Sequence, residues 1–425
     1  MAGLALPRLP AFQSARGLIE ASTAEVATQD LHYDLLSFFS IAQKLGVNLI
    51  KVTWQPGLDR LGRGASSTVQ QALIDKRLHM AFKRSVSSND DFSMDTEKQE
   101  KERLRALILE MIALEILREN PHVIDLLGVT YETSANTHQV WPVLLMERSE
   151  MGTMAQFLAS DDGRQLDGMA KLRLCIQIAH ACEAMHSLGI IHGDIKLGNV
   201  LIFPNRQESL ADSGDQSSDF GRDAWMAKLI DFGYSCFGVS GSQKVRVART
   251  RPWQAPEHRI NEFFTLRDAK KMDVFSFGML VCRIFLGDAL TSIMGLTPGS
   301  NGLIDQQVLD GIDSLKAGPK FLEQVALYVR QESALATPIM ELLLRLFEQT
   351  LHHDAGSRVK DFGYVLAILT DCVAASDGAG ESSRPDYEPP KLGSSELQSV
   401  TLDGFSHSIL EVGLTRVIST YWNAN

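Results

Sequence analysis

The hydrophobic period of this chain changes near residue 150, and that change limits the folds open to it. Before it, residues 49–83, Val123–Val129 and Trp141–Met146 carry apolar runs of strand length, with Gly, Asp and Ser at the breaks. After about residue 153 the apolar side chains recur at helical spacing. The run 171–188 reads as one long helix, with Leu174, Ile178, Ala181 and Met185 on a single face. One helix pattern, residues 100–118, sits inside the strand-rich part. A small sheet unit carrying one helix therefore precedes a larger helical unit.

The flanks and breaks divide the chain further. Residues 1–30 read as a mobile terminus. Residues 31–45 predict a short amphipathic helix, capped by Asp30 and Gly46 and packed on the domain that follows. Residues 84–99 read as a loop, residues 204–223 as a polar, acidic, disordered insertion, and residues 375–400 as a Gly-, Ser- and Pro-rich linker. A final apolar segment runs from Ile409 to Trp422, with Ser408 and Glu411 as a candidate capping box.

Composition excludes several classes. The 425 residues suit two to three structural units at roughly 150 residues each. A hydrophobic share of 44% and a charged share of 22% exclude a disordered chain, a collagen and a small disulfide scaffold. Phe277–Leu286 is the longest apolar run; it contains Arg283 and falls short of the roughly 20 residues a membrane span needs, so no membrane span and a soluble protein are expected. Lys and Arg total 41 against 52 Asp and Glu, a net charge of −11, which disfavours a general nucleic-acid binder. The five cysteines (Cys175, Cys182, Cys236, Cys282 and Cys372) form no C-x-x-C pair and fit free thiols in a reducing, cytoplasmic compartment. The first nineteen residues hold Arg8 and Arg16 and no acid, as in an organelle-targeting peptide, but Pro7 and Pro10 break the helix such a peptide needs.

The stretch Ile190 to Ile202 carries the densest chemistry. Asp194, Lys196 and Asn199 lie between the long helix and a short apolar strand. Asp194 can accept a hydroxyl proton, Lys196 can neutralise a moving phosphoryl group, and Asn199 can offer an oxygen to a metal. This stretch, His192-Gly193-Asp194-Ile195-Lys196-Leu197-Gly198-Asn199, resembles the H-R-D-x-K-x-x-N catalytic loop of eukaryotic protein kinases, with Gly193 in place of the Arg. The chain contains three D-F-G triples, at Asp219, Asp231 and Asp361. Only Asp231 follows a short apolar strand, Met226–Ile230, that can hold a metal-binding carboxylate still. The other two read as chance turn sequences.

The resemblance extends in the family's order over about residues 56–373. Ala255-Pro256-Glu257 matches the A-P-E triple that closes the activation segment, and Arg358 sits where the family places the partner of that Glu. Asp273 matches the buried-helix Asp that holds the catalytic-loop backbone; read alone, it could merely cap that helix. Leu61-Gly62-Arg63-Gly64-Ala65-Ser66-Ser67-Thr68-Val69 resembles the glycine-rich phosphate loop, with Ser67 for its third Gly. Lys83, in Met80-Ala81-Phe82-Lys83, corresponds to the strand lysine that holds the α- and β-phosphates. Glu110 is chosen over Glu102 and Glu115 as its carboxylate partner, because Leu114 one turn later would face the core.

The resemblance implies an α+β, bilobal protein kinase fold. It has a small N-lobe with an antiparallel sheet and one helix (residues 56–147) and a large, mainly helical C-lobe (residues 148–373). Residues 1–55 form an N-terminal extension, and residues 374–425 a linker and tail. It also implies ATP and Mg²⁺ as cofactors. Asn199 and Asp231 would hold the metal. Gly62, Gly64, Val69, Ala81, Lys83, Met146 as gatekeeper, the backbones of Glu147 and Ser149, and Leu201 would form the nucleotide site. Asp194, Lys196, Lys83 and Glu110 would be the catalytic set. Lys196 and Thr250 match the Ser/Thr pattern, so protein Ser/Thr hydroxyls are the expected acceptors. Two alternatives stay open: a pseudokinase or weakly active scaffold, supported by Ser67 and Gly193, and a small-molecule kinase with an H-G-D loop. The terminal segments are candidates for binding a regulatory partner. Without the catalytic-loop Arg, activity is expected not to depend strongly on phosphorylation of Ser235, Ser240 or Ser242.

Overall fold

A computed structural model describes residues 33–50, 60–63, 67–75, 78–85, 97–133, 140–205, 224–237, 244–287, 306–332 and 335–377. The expected insertion beyond Asn205, the terminal linker and tail beyond 377, and the start of the chain lie outside these residues.

The small lobe is a five-stranded sheet in the order β1-β2-β3-β5-β4. Its strands are β1 (Arg60–Arg63), β2 (Ser67–Asp75), β3 (Leu78–Ser85), β4 (Leu126–Thr133) and β5 (Val140–Glu147), and every neighbouring pair is antiparallel. Side chains alternate across the pleat. Met80, Phe82, Val143 and Leu145 form one small cluster on one face. The alternate residues Leu144 and Met146 join the main core on the other face, and Lys83 points to that side.

Helix α1 (Leu35–Leu45) precedes the sheet, and helix α2 (Glu97–Ile116) crosses it. Helix α1 is shorter than expected. Its cap is Asp34, whose Oδ1 accepts from Ser37 N at 2.7 Å, and not Asp30. Periodicity alone could not choose between two aspartates four residues apart. Gly46 closes the helix at φ 75°, a left-handed conformation that glycine adopts at little cost. Phe38, Ala42 and Leu45 are buried in the main core with residues of α2, so the helix packs in cis. The chain then runs beside β4: Val129 N donates to Asn48 O and Ile50 N to Val129 O, both at 2.8 Å.

The larger lobe begins with α3 (Met154–Ala159), α4 (Asp161–Arg164) and α5 (Gly168–Ser187). Leu174, Ile178, Ala181 and Met185 of α5 are all fully or almost fully buried, as their spacing predicts. Short strands follow: β6 (Ile190–Ile191) pairs with β9 (Cys236–Phe237), β7 (Val200–Pro204) with β8 (Trp225–Leu229), and β10 (Lys244–Val245) with β11 (Phe264–Thr265). Helices α6 (Leu266–Leu286), α7 (Gln306–Lys316), α8 (Lys320–Gln331), α9 (Thr337–Thr350) and α10 (Phe362–Asp377) complete the lobe. Helix α6 is buried almost all round, including Asp273, and forms the centre of this lobe. Helix α10 extends to Asp377, slightly past the start expected for the linker.

Candidate active site

The catalytic-loop backbone is anchored from below by Asp273. Its Oδ1 accepts from Gly193 N, and its Oδ2 from His192 N and His186 Nε2, each at 2.9 Å. Asp273 lies in the second turn of α6; Thr265 caps that helix, so Asp273 is no cap. Gly193 adopts φ 77°, and a Cβ there would lie 3.3 Å from Tyr234 O. His192 Nδ1 accepts from Asp194 N at 3.2 Å, which leaves its Nε2–H to donate to Ile230 O at 3.1 Å. The His192 ring also packs against Phe232, with centroids 4.9 Å apart.

These anchors place Asp194 at the head of the loop. Its Oδ2 accepts from Lys196 Nζ at 2.5 Å and from Asn199 Nδ2 at 2.9 Å. Its Oδ1 is buried and has no partner among the described residues. One oxygen is held and the other is unmet, an arrangement in which the second oxygen could accept a proton. Asn199 Nδ2 is committed to Asp194, so its Oδ1 is the atom that remains for a cation.

A second cluster joins the lobes. Lys83 Nζ on β3 lies 2.8 Å from Glu110 Oε1, 2.6 Å from Glu110 Oε2 and 2.7 Å from Asp231 Oδ1. Of the three glutamates considered, Glu110 meets Lys83, while Glu115 pairs with Arg118 at 2.6 Å and Glu102 is exposed. Burial opposes charge on Lys83, but Asp231 and Glu110 outweigh it and raise its pKa. Burial pushes the Glu110 carboxyl up to about 7, against the pull of Lys83. Burial would also raise Asp231, but Lys83 wins and holds it below the usual carboxylate range. Two carboxylates thus share one cation, the buried one held above and the more exposed one below the usual carboxylate range.

Asp231 is the only described non-glycine residue with positive φ, at 66°. That conformation costs roughly 1–2 kcal/mol for an L-residue and is concentrated at functional positions. Strand β8 leads into it, which is the context that singled it out among the three D-F-G triples. Asp361 instead precedes α10 and accepts from Tyr364 N at 3.4 Å, and Asp219 lies outside the described residues.

Most of the remaining expected positions lie on β1, β2, β3, β5 and β7 and on the turn after β5. Lys83 stands opposite Val69 on β2, which in turn pairs with Gly62 on β1; Gly64 lies outside the described residues. Ala81 and Met146 are register partners and are buried. Glu147 N already donates to Asp125 O at 3.2 Å, so only the carbonyl of its backbone could serve an adenine edge. The Ser149 hydroxyl bonds Ile202 O and accepts from Met151 N and Gly152 N at 3.1 Å, fixing the turn. Leu201 on β7 bridges to Thr153 beneath that turn. Lys228 was not foreseen: it ties Glu147 to Asp125, with Asp125 Oδ2 at 3.0 Å. Nothing local marks such a residue, because its partners lie 81 and 103 positions away. At the far end of the segment, Arg358 makes a two-pronged pair with Glu257, at 2.7 and 3.0 Å.

The donor set suits a hard cation. Among the described residues no group of three or more His, Cys, Asp and Glu could hold a metal alone. Asp231 and Asn199 offer only oxygens, a set that fits Mg²⁺ shared with substrate phosphates.

The protein kinase domain family model matches residues 57–360, more than two thirds of the chain. A probable serine/threonine-protein kinase of Dictyostelium discoideum is 28% identical over 179 residues, covering 42% of this chain and 25% of the relative. A serine/threonine/tyrosine-protein kinase of Arabidopsis thaliana is 28% identical over 155 residues, covering 36% and 33%. A wall-associated receptor kinase-like protein of the same plant is 25% identical over 315 residues, covering 71% and 37%. The chain thus spans only a quarter to just over a third of the length of these relatives.

Proposed function

Because this chain belongs to the protein kinase family, we propose that it transfers the ATP γ-phosphoryl group to serine and threonine hydroxyls of protein substrates. The observation that carries the reading is the meeting of Lys83, Glu110 and Asp231, drawn from β3, α2 and the residues after β8, at 2.6–2.8 Å. Buried charges are costly unless they have a task or a partner. When bound, Mg·ATP supplies the transferable phosphoryl group and much of the charge neutralisation. Lys83, fixed by Glu110, would hold phosphate oxygens, and Asn199 Oδ1 and Asp231 would hold the metal. Asp194 Oδ1 would accept the proton of the acceptor hydroxyl. Lys196, already beside Asp194 Oδ2, would offset charge on the moving group. The Ser/Thr choice is supported by Lys196, by Thr250, and by the resemblance to the Dictyostelium probable serine/threonine-protein kinase at 28% identity. The free, mostly buried Cys175, Cys182, Cys236 and Cys282 support a reducing, cytoplasmic setting.

A scaffold reading draws on Gly193, which offers no side chain to an activating phosphate, and on Ser67 in the phosphate loop. One assay separates the two. ATP-dependent phosphorylation of a peptide library by the full chain is expected, with a loss of at least about hundredfold in Asp194→Asn and in Asp231→Ala. Mg·ATP binding without phosphate transfer would favour the scaffold.

A further inference from the structure

Lys244, Arg246, Arg249 and Arg251 form a basic run whose expected fate is a solvated loop face. The structure divides it. Lys244 and Arg246 are exposed, and Arg246 pairs with Glu262 at 3.0 Å. Arg249 is exposed as well, but with the half-buried Arg251 it lines a cavity of about 450 Å³, with Gln254, His258, Arg259 and Asp313 completing its wall.

The wall carries charge that the protein does not neutralise. Arg251 is paired, by Asp313 Oδ2 at 2.8 Å and Asp310 Oδ1 at 2.7 Å. Arg249 and Arg259 meet only neutral carbonyls, Asn261 O at 3.1 Å and Asp313 O at 3.4 Å. Among the described residues neither has a carboxylate partner. Burial, then Arg249 and Lys316, push the pKa of the buried His258 down to about 4, against the pull of Asp313. Arg249 and Arg259 are both exposed, in a chain of net charge −11.

A second observation points to a peptide rather than a small anion. Gln254 is 7% exposed, and its Nε2 donates to Asp313 Oδ2 at 3.0 Å. The carboxylate can only accept, so the amide orientation is fixed and Oε1 is left as a buried acceptor with no partner among the described residues. Gln254 and His258 also line a narrower gap that reaches Thr250, Gly193 and Asp194. The cavity therefore adjoins the proton acceptor.

We propose that this cavity receives an acidic side chain, a carboxylate or a phosphate, of the peptide that presents its hydroxyl to Asp194. Arg249 and Arg259 bind the anion, and Gln254 Oε1 accepts a backbone N–H of the same peptide. Guanidinium groups suit planar carboxylate and phosphate oxygens, and a peptide also supplies the N–H that a free anion lacks. The proposal rests on the protein-kinase reading above and names its substrate class.

The test uses the full chain and a peptide set in which each position near the acceptor carries Asp, phosphoserine or Gln. Wild type is expected to favour the Asp or phosphoserine peptide by at least about tenfold in kcat/KM at one position. The Arg249→Ala/Arg259→Ala variant, with thermal melting as the check on folding, brings that ratio close to one. The Asp and phosphoserine arms separate the two sources of the anion. A wild type that phosphorylates these peptides without preference, or a double variant with the wild-type ratio, overturns the proposal and leaves the kinase reading intact. If no peptide is phosphorylated, the kinase reading fails first, and fluorescence anisotropy of the same labelled peptides decides. Binding of the acidic peptide that is salt-sensitive and lost in the double variant supports the site; equal binding by both proteins refutes it.

Discussion

Asp273→Asn tests whether the buried carboxylate beneath the catalytic loop is its structural anchor. Asp273 accepts three hydrogen bonds at 2.9 Å and is 1% exposed. An asparagine of the same shape has one oxygen. If that oxygen takes the Oδ2 place, Gly193 N faces an NH₂ group and is left unmet; in the other orientation, both His192 N and His186 lose their acceptor. The better orientation still strands one buried donor, a cost of roughly 1–3 kcal/mol. The two surviving bonds lose their charge assistance, which about halves each of them. The sum is roughly 2.5–6 kcal/mol. Unfolding entropy of about 2.1 cal/mol/K per residue over roughly 300 residues converts this into a fall in Tm of about 4–10 °C. Differential scanning fluorimetry reads it, with Asp273→Ala, which strands all three donors, expected to fall further. A Tm within 1 °C of wild type for both variants would refute the anchoring argument.

Three further outcomes follow from single residues. Gly193→Ala places a Cβ at φ 77° and 3.3 Å from Tyr234 O, so it should destabilise by about 1 kcal/mol in urea melts. Phe38→Ala empties a fully buried site of α1 and should cost roughly 3–5 kcal/mol in the same melts, showing that the N-terminal extension belongs to the small lobe. His258 is held neutral in the fold with a pKa near 4, below its ordinary 6.5. The unfolded chain then binds the extra proton between these values, so stability falls as pH drops from 6.5 toward 4, by up to about 3 kcal/mol. His258→Gln should flatten that part of the pH profile of the urea midpoint.

Residues whose role is set by local pattern were legible in the sequence. Asp231 stood out among three identical triples because an apolar strand precedes it, and β8 is that strand. Glu110 was separable from Glu102 and Glu115 through Leu114, and in the fold Leu114 is fully buried while Glu110 meets Lys83. Helix α1 was visible from its period, but its cap was misplaced by one turn, since two aspartates satisfy the same local rule. What stayed hidden depends on contacts between distant parts of the chain. The pairing of Asn48–Ile50 with Val129, the bond from His186 to Asp273 and the tie of Lys228 to Glu147 leave no periodic trace. No local pattern marks Arg259, which the fold brings to the cavity that Arg249 lines. Ser235, a candidate phosphorylation position on sequence grounds, is 2% exposed, a burial that no local pattern announces.

The central claim is that Lys83, Asn199 and Asp231 serve one nucleotide–metal complex. Calorimetric titration of the full chain with a non-hydrolysable ATP analogue, with and without Mg²⁺, tests it most directly. Saturable binding that Mg²⁺ strengthens is the predicted result, weakened at least about tenfold, or 1.4 kcal/mol, in Lys83→Met and Asp231→Ala. Binding that ignores Mg²⁺, or that both variants retain at wild-type strength, would contradict it.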